Sequence, residues 1–539
     1  MEFQITSKFG VVKNNSSLFL GFQPIKREPN PLLLLPATAG HGMLRLPTVT
    51  KRRLCMPKAA ASRSSQPATA PLPPRPWELP LIGNIHHLFA GLPHHALRDL
   101  ARVHGPLMLL RLGEIDQLVV SSREAAEEIM RTQDLNFIDR PPLIAPMIIL
   151  YGGKDMSFAP YSAYWRQLRR LCVTELLSGK RVRSYSSLRE EETTSLIHDI
   201  AVATADGGTV NLSERLTAVS NNIVCRATFG HMCRDQSKFI TYMEEAITMA
   251  SGFSISDLYP SFQFIDNVIG MRPKLEMYHR KIDEILAATI QAHQMSRNEG
   301  EEQDLINVLL DLKDHGDYEI PITIESIKAI IFDMFTGGTE TSSGMLQWVM
   351  SELMRNPEVM EKAQKEVREA MKGKGKVEES DIEKLSYIEA VVKETLRLHP
   401  PLPLLLPRVC KETTQVLGYT IPAGTRVMIN AWALGRDPKY WEDAEEFKPE
   451  RFENNDIAYR GSDFEYIPFG AGRRICPGMS FGLATVEMAL TQILYYFDWK
   501  LPRGMKPEDV DMAETFGPTS RRKSALFLHA TPCYPLPRV

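Results

Sequence analysis

A mainly α-helical protein with small β-sheets is predicted by three features of this chain. Amphipathic helical patterning dominates it, β signals are few and short, and one proline-free stretch is long enough to cross a core. The helical segments include "SREAAEEIMRT" (122–132), "MYHRKIDEILAATIQAHQ" (277–294) and "MEKAQKEVREAMK" (360–372), all with a 3.6-residue apolar period. The β signals are "PLMLLRLG" (106–113), "DQLVVSS" (116–122), "TQVLGYTIPAGTRVMIN" (414–430) and "SALFLHA" (524–530). Within the third, "GYTIPAG" resembles a hairpin. The stretch from Thr323 to Arg355 would run roughly 50 Å at 1.5 Å per residue. Thr323 is placed to cap it, Glu325 sits in its first turn, and Asn356 with Pro357 opens the next helix.

Composition narrows the function classes. Of 539 residues, 43% are hydrophobic and 24% charged, which is ordinary for a globular protein. A net charge of −3 without a basic-aromatic stripe excludes a nucleic-acid groove. The cysteines, at 55, 172, 225, 233, 410, 476 and 533, are scattered, odd in number and without a CxxC pair. That excludes a disulfide framework or zinc cage, so a functional cysteine would act singly.

Residues 1–70 hold ten Lys or Arg against Glu2 and Glu28 alone, with many hydroxyls and no apolar run near the ~20 residues that span a bilayer. They read as a targeting or disordered segment, transit-peptide-like in composition. "PLPPRPWELPLIGN" (71–84) is a stiff proline-rich hinge, and 85–539 forms one large domain. Its soft spots, 297–304 and 371–380, read as surface loops.

Two stretches carry the chemistry. The middle of the long helix reads "FTGGTETSSG" (335–344), and each glycine costs about 1 kcal/mol relative to alanine in a helix interior. Either a distortion opens a groove for a ligand there, or a helix crossing requires small residues. The second stretch is "PFGAGRRICPGM" (468–479), where Phe469, Gly472, Arg474, Cys476 and Gly478 form F-x-x-G-x-R-x-C-x-G. Five such fixed positions match by chance with odds on the order of 10⁻⁴.

This loop resembles the haem-binding loop of the cytochromes P-450, the haem-thiolate monooxygenases. The resemblance implies a single large haem domain and a cofactor of haem (heme b) whose iron takes the Cys476 thiolate as axial ligand. Backbone N–H groups are then expected to face the sulfur, with Gly472 and Gly478 letting the chain curl close. Arg474 is implied to hold a haem propionate, and Phe469 to shield the thiolate.

Further stretches match the family in order. Gly337, Gly338, Thr339, Glu340, Thr341 and Ser342 fit its [AG]-G-x-[DE]-T-[TS], implying that Thr341 and Glu340 deliver protons during oxygen activation. Glu394 and Arg397 in "KETLRLHPP", with Arg451 in "FKPERF", are implied to form a buried charge network. The spacing alone says little, since Glu128…Arg131 and Glu352…Arg355 share it. Trp165 and Arg169 in "YWRQLRR" match W-x-x-x-R and, with Arg408 in "LPLLLPR", are implied to meet propionates. The proline hinge resembles that of the plant A-type branch, with Arg75 where glycine is usual.

The resemblance implies insertion of one oxygen atom from O2 into a lipophilic small molecule of terpenoid or related plant specialised metabolism. Lining candidates are Ile331, Met334, Phe335, Leu404, Leu405 and Phe516, and 140–153 would form part of an access lid. No GxGxxG loop or flavin signature is present, so electrons are expected from an NADPH-cytochrome reductase or another donor. Arg166, Arg170, Lys180, Arg181 and Arg183 offer it a basic face. Membrane association is expected to be peripheral, without a clear transmembrane anchor. The compartment is a plastid or the cytosolic face of the endoplasmic reticulum. Two other readings stay open: a haem-thiolate isomerase or dehydratase, expected to lack the acid–threonine pair, and a non-catalytic haem-binding protein.

Overall fold

The computed structural model describes residues 70–537 apart from 90, 231–234, 251–253, 297–303, 375, 454 and 516. The expectations for residues 1–69, for most of the loop at 297–304 and for Phe516 lie outside the described residues. The proline segment is not a free spacer. Leu109 N–H donates to Pro74 O (2.9 Å), Thr420 N–H donates to Pro71 O (2.8 Å), and Arg75 pairs with Asp116 at 3.3 Å. The unusual Arg75 therefore ties this segment to the adjoining sheet.

Helix α1 (Pro93–His104) follows, then strands β1 (Leu107–Leu112) and β2 (Ile115–Val120), paired antiparallel from Leu107↔Val120 to Leu112↔Ile115. Next come α2 (Ala163–Leu171), α3 (Ser186–Thr204), β3 (Val210–Asn211) and α4 (Leu212–Phe229). The long helix is α5, Ile324–Arg355. Thr323 caps it as expected: its hydroxyl accepts from Ser326 N–H at 3.1 Å, and Ser326 Oγ accepts from Thr323 N–H at 3.4 Å. Asn356 acts in the opposite sense to the expectation. Its amide donates to Glu352 O (2.8 Å) and closes α5, while the next helix, Pro357–Ala370, has no side-chain cap.

Helix α5 runs unbroken through its glycines, so the expected backbone distortion is absent. The two adjacent glycines have different reasons to be there. A Cβ on Gly338 would lie 2.8 Å from Cγ2 of Val224 on α4, which is a helix-crossing demand for a small residue. A Cβ on Gly337 would meet nothing within 4 Å.

Helix α6 (Ser386–Leu398) precedes β4 (Arg408–Val409), β5 (Thr414–Val416), β6 (Tyr419–Ile421) and β7 (Arg426–Ile429). The β5–β6 hairpin turns at Leu417–Gly418, with φ of 46° and 83°, so the expected hairpin forms with "GYTIPAG" supplying the second turn residue and β6. Beyond Ile421 the chain leaves that hairpin, and β7 instead joins the order β1-β2-β7-β4. Helix α7 (Met479–Tyr496) leads to β8 (Phe497–Lys500) and β9 (Phe527–Pro532), in the sheet β3-β9-β8. The core is built on α5, which packs against both α4 and α7.

Of the three E-x-x-R matches, one is a buried pair. Glu394 and Arg397 are both fully buried and 2.7 Å apart. The five N–H groups of Arg397 find five acceptors: two Glu394 oxygens and the carbonyls of Gly435, Ala444 and Glu446, at 2.6–2.9 Å. Arg451 Nε donates to Glu394 at 3.0 Å. Full pairing is what makes such burial tolerable. Elsewhere Arg131 pairs with Glu127 on the surface, and Glu352 faces His399 at 2.7 Å.

Candidate active site

The cysteine loop is held by its own backbone. Cys476 N–H donates to Phe469 O at 2.9 Å, closing the loop on itself. Gly472 has φ of 70°, and a Cβ there would lie 2.3 Å from Met130 O, so only glycine fits. Gly478 is different: its φ is −86°, and a Cβ would merely touch the Cys476 sulfur at 4.0 Å. The expectation that both glycines permit the curl holds for Gly472 alone.

Desolvation pushes the Cys476 thiol pKa up, while the N–H of Gly478, the Arg169 guanidinium and the N–H of Met479 pull it down. Pro477 donates nothing. The loop thus points donors at the sulfur, and a bound cation would add to their stabilisation of the thiolate.

A cavity separates this loop from α5. Phe469, Cys476 and Gly478 line one side, and Gly337, Gly338 and Thr341 the other. The open space beside Gly337 is therefore the expected ligand groove, reached without distorting the helix. Trp165, Arg169, Arg408 and Arg474 line it too, with Arg140, which sequence reading missed. Arg474 donates to the carbonyls of Ile138 (3.1 Å), Met156 (3.2 Å) and Ala159 (2.6 Å) and lies over the Trp165 ring at 4.3 Å. Trp165 Nε1 donates to Met156 O at 2.9 Å, and Arg169 to Ile475 O at 2.5 Å. Arg408 is already paired with Asp134 at 2.9 Å and donates to Ala471 O.

Burial lowers the pKa of all four arginines, with Arg474 brought down to about 10. Mutual repulsion adds to this, since Arg408 acts on both Arg140 and Arg474. Four guanidiniums around one cavity, those of Arg408 and Arg474 buried and those of Arg140 and Arg169 half-buried, call for an anionic guest.

Asp333, also missed, lines the cavity about two turns before Thr341. It accepts from Met156 N–H (2.7 Å) and the Ser157 hydroxyl (2.8 Å), holding the strand of chain that anchors Trp165 and Arg474. Burial and the nearby Asp155 raise its pKa. A lone acid in the apolar run "IIFDMF" was the available signal.

The acid–threonine pair divides across α5. Thr341 lines the cavity and donates its hydroxyl to Gly337 O at 2.6 Å. Glu340 faces a second cleft, accepting from the Thr519 hydroxyl and pairing with Arg521, both at 2.7 Å. Of the lining candidates, Met334 and Leu405 reach the cavity. Ile331 is buried in the core, Phe335 packs edge-on against Phe239 at 4.9 Å, and Leu404 packs beside β1.

The Cytochrome P450 family model matches residues 73–527. The chain belongs to the cytochrome P450 family. It is 50% identical over 479 residues to premnaspirodiene oxygenase of Hyoscyamus muticus, covering 88% of this chain and 95% of that one. Identity is 48% to 5-epiaristolochene 1,3-dihydroxylase of Nicotiana tabacum (88% and 95% covered) and 46% to salviol synthase of Salvia pomifera (87% and 93%). Among solved structures, a zebra fish cytochrome P450 with progesterone aligns with a TM-score of 0.71 at 26% identity, covering 82% of this chain and 99% of that one. This P450 is a haem-thiolate monooxygenase of lipophilic small molecules. Its cavity fits that cofactor: a sulfur flanked by N–H donors, with four guanidiniums in the lining to meet two propionates.

Proposed function

We propose that this P450 oxygenates a terpenoid-sized hydrocarbon skeleton and takes its electrons from an NADPH-dependent reductase. The observation that carries this reading is the apolar wall beside Thr341, built from Val224, Ala227, Met334, Leu402, Leu405 and Leu406. A wall without charge orients a substrate by shape and excludes water. The relatives named for premnaspirodiene, 5-epiaristolochene and salviol support a terpenoid.

When bound, haem supplies oxygen activation and the oxidising equivalent that inserts one oxygen atom into a C–H bond. Cys476 would hold the iron as a thiolate, and Arg140, Arg169, Arg408 and Arg474 would hold the propionates; Trp165, whose one N–H is taken by Met156 O, supports Arg474 through its ring instead. Thr341 keeps a proton at Oγ1 inside the cavity. Glu340 lies across the helix and faces the second cleft, where Thr519 and Arg521 hold it. Exposed Arg166, Arg170, Lys180 and Arg183 give an acidic reductase a docking face beside the α2 end.

Among the described residues no helix is long and apolar enough to cross a membrane. Exposed Trp77, Leu81 and Phe89 adjoin exposed Phe262, Phe264 and Val268, since Tyr259 Oη donates to Leu81 O at 3.3 Å. This patch supports peripheral membrane docking, testable by vesicle flotation of wild type against Leu81→Ser/Phe264→Ser. The basic, acid-poor segment 1–70 supports a plastid over the endoplasmic reticulum, and fluorescent fusions with and without it distinguish the two. Function is tested by co-expression with terpene synthases and mass spectrometry: a product gaining one oxygen is expected. No oxygenated product from a terpene panel, with NADPH and reductase present, would refute the substrate class.

A further inference from the structure

Away from the haem cavity, His94 and His95 at the start of α1 meet Glu514 from the C-terminal segment. Each offers one ligand atom, and these atoms all lie within 4.8 Å of one another. Nε2 of His94 stands 3.0 Å from Oε2 of Glu514, with side chains only 5% and 7% exposed. The two atoms face each other as a buried pair, and Nε2 of His95 is buried with no hydrogen-bond partner among the described residues. A buried polar atom left without a partner destabilises the fold, so the His95 nitrogen calls for one.

Packing holds the rings instead. His94 and His95 meet edge to face at 4.6 Å, and His95 stacks on Trp432 at 4.1 Å. Asn430 Nδ2 donates to His94 O at 2.8 Å, fixing the backbone beneath.

We propose that His94, His95 and Glu514 form a binding site for a divalent transition-metal cation of the zinc type. Two imidazoles and one carboxylate suit zinc, with a fourth position left for water. Bonds near 2.1 Å put tetrahedral ligand atoms roughly 3.4 Å apart, close to the His94–Glu514 separation. The other atom pairs, within 4.8 Å, close to that spacing by side-chain rotations that shorten them by up to about 1.4 Å. The nearby cations do not oppose it unpaired. Arg98 and Arg436, which lie over Trp432 at 4.9 and 4.1 Å, are both met by Glu445, at 3.5 and 3.1 Å.

The position gives the site a consequence. Glu514 bridges to Arg522 at the base of a loop whose Thr519 and Arg521 hold Glu340. Ser520 O in the same loop accepts from Trp348 Nε1 of α5 at 3.0 Å. A bound ion would therefore fasten α1 to the loop that sets the position of Glu340.

The test uses purified haem-loaded protein equilibrated with zinc, passed over chelating resin and measured by inductively coupled plasma mass spectrometry. Wild type is expected to retain about one zinc per haem, and His95→Gln and Glu514→Gln at least tenfold less at the same free zinc. No retained zinc in the wild type, or equal retention in all three proteins, overturns the site in favour of a proton shared by His94 and Glu514. If the variants fail to fold, anomalous diffraction at the zinc edge decides. A peak between His94 and Glu514 is expected, and its absence from zinc-treated wild-type crystals overturns the proposal.

Discussion

Replacing Arg397 by methionine removes the centre of the buried charge network while keeping most of the side-chain volume. Five hydrogen bonds are lost, two of them to the Glu394 carboxylate. Glu394 keeps Lys448 N–H at 2.8 Å and Arg451 at 3.0 Å, so its charge is not abandoned outright. The carbonyls of Gly435, Ala444 and Glu446 lose their Arg397 donor. Three such losses at about 1 kcal/mol each, with the weakened ion pair added, give about 3–5 kcal/mol, the range measured for breaking a buried pair. That is roughly a hundred- to several-thousand-fold change in the folded-to-unfolded ratio. The assay is denaturant unfolding of the haem-loaded protein, followed by Soret absorbance and far-ultraviolet circular dichroism. Arg131→Met is the control, because its pair with Glu127 is exposed and worth at most about 0.5 kcal/mol. Equal losses in the two variants, or a loss below about 1 kcal/mol for Arg397→Met, would refute the reasoning.

Thr341→Ala is expected to lower product per NADPH consumed by roughly tenfold or more while NADPH oxidation continues; an unchanged yield would remove Thr341 from proton delivery. In the haem-free protein, Gly337→Ala should be more stable than Gly338→Ala. The first gains up to about 1 kcal/mol of helix propensity in open space, and the second loses that gain against Val224, as unfolding midpoints would show. Glu487 has its pKa pushed up to about 7, by burial first and then by Glu389 and Glu379. The folded state therefore holds this proton more tightly than the unfolded one. Stability from this group is full below the unfolded value of 4.5 and is lost as pH rises through about 7. Glu487→Gln should flatten the fall in stability between pH 5 and pH 8, and an identical pH profile would contradict the assignment.

The helical character, the long α5 and the cysteine loop were legible because each rests on local rules: period, capping and the steric demands of glycine. Where sequence reading failed, a particular partner or orientation in the folded chain decided. Asn356 has a cap's chemistry, but which helix it serves depends on Glu352 lying one turn behind it. Gly337 and Gly338 look alike in sequence and differ only because Val224 stands against one of them. The "GYTIPAG" stretch supplies the hairpin expected of it, yet the strand beyond, β7, pairs with β2 and β4 rather than with β6. Arg140 escaped notice because its acceptors, Ser157 O, Leu406 O and Pro407 O, are backbone atoms that leave no mark in the sequence. Among six apolar lining candidates, helix rotation turned Ile331 and Phe335 into the core, a distinction apolar character cannot make.

The ligand state of the Cys476 sulfur is best tested by the absorption spectrum of reduced, carbon-monoxide-treated, haem-loaded protein. A far-red-shifted Soret band is predicted, the signature of an anionic thiolate held by the N–H groups of Gly478 and Met479. A folded protein whose Soret band stays at the position of neutral ligation would contradict the account.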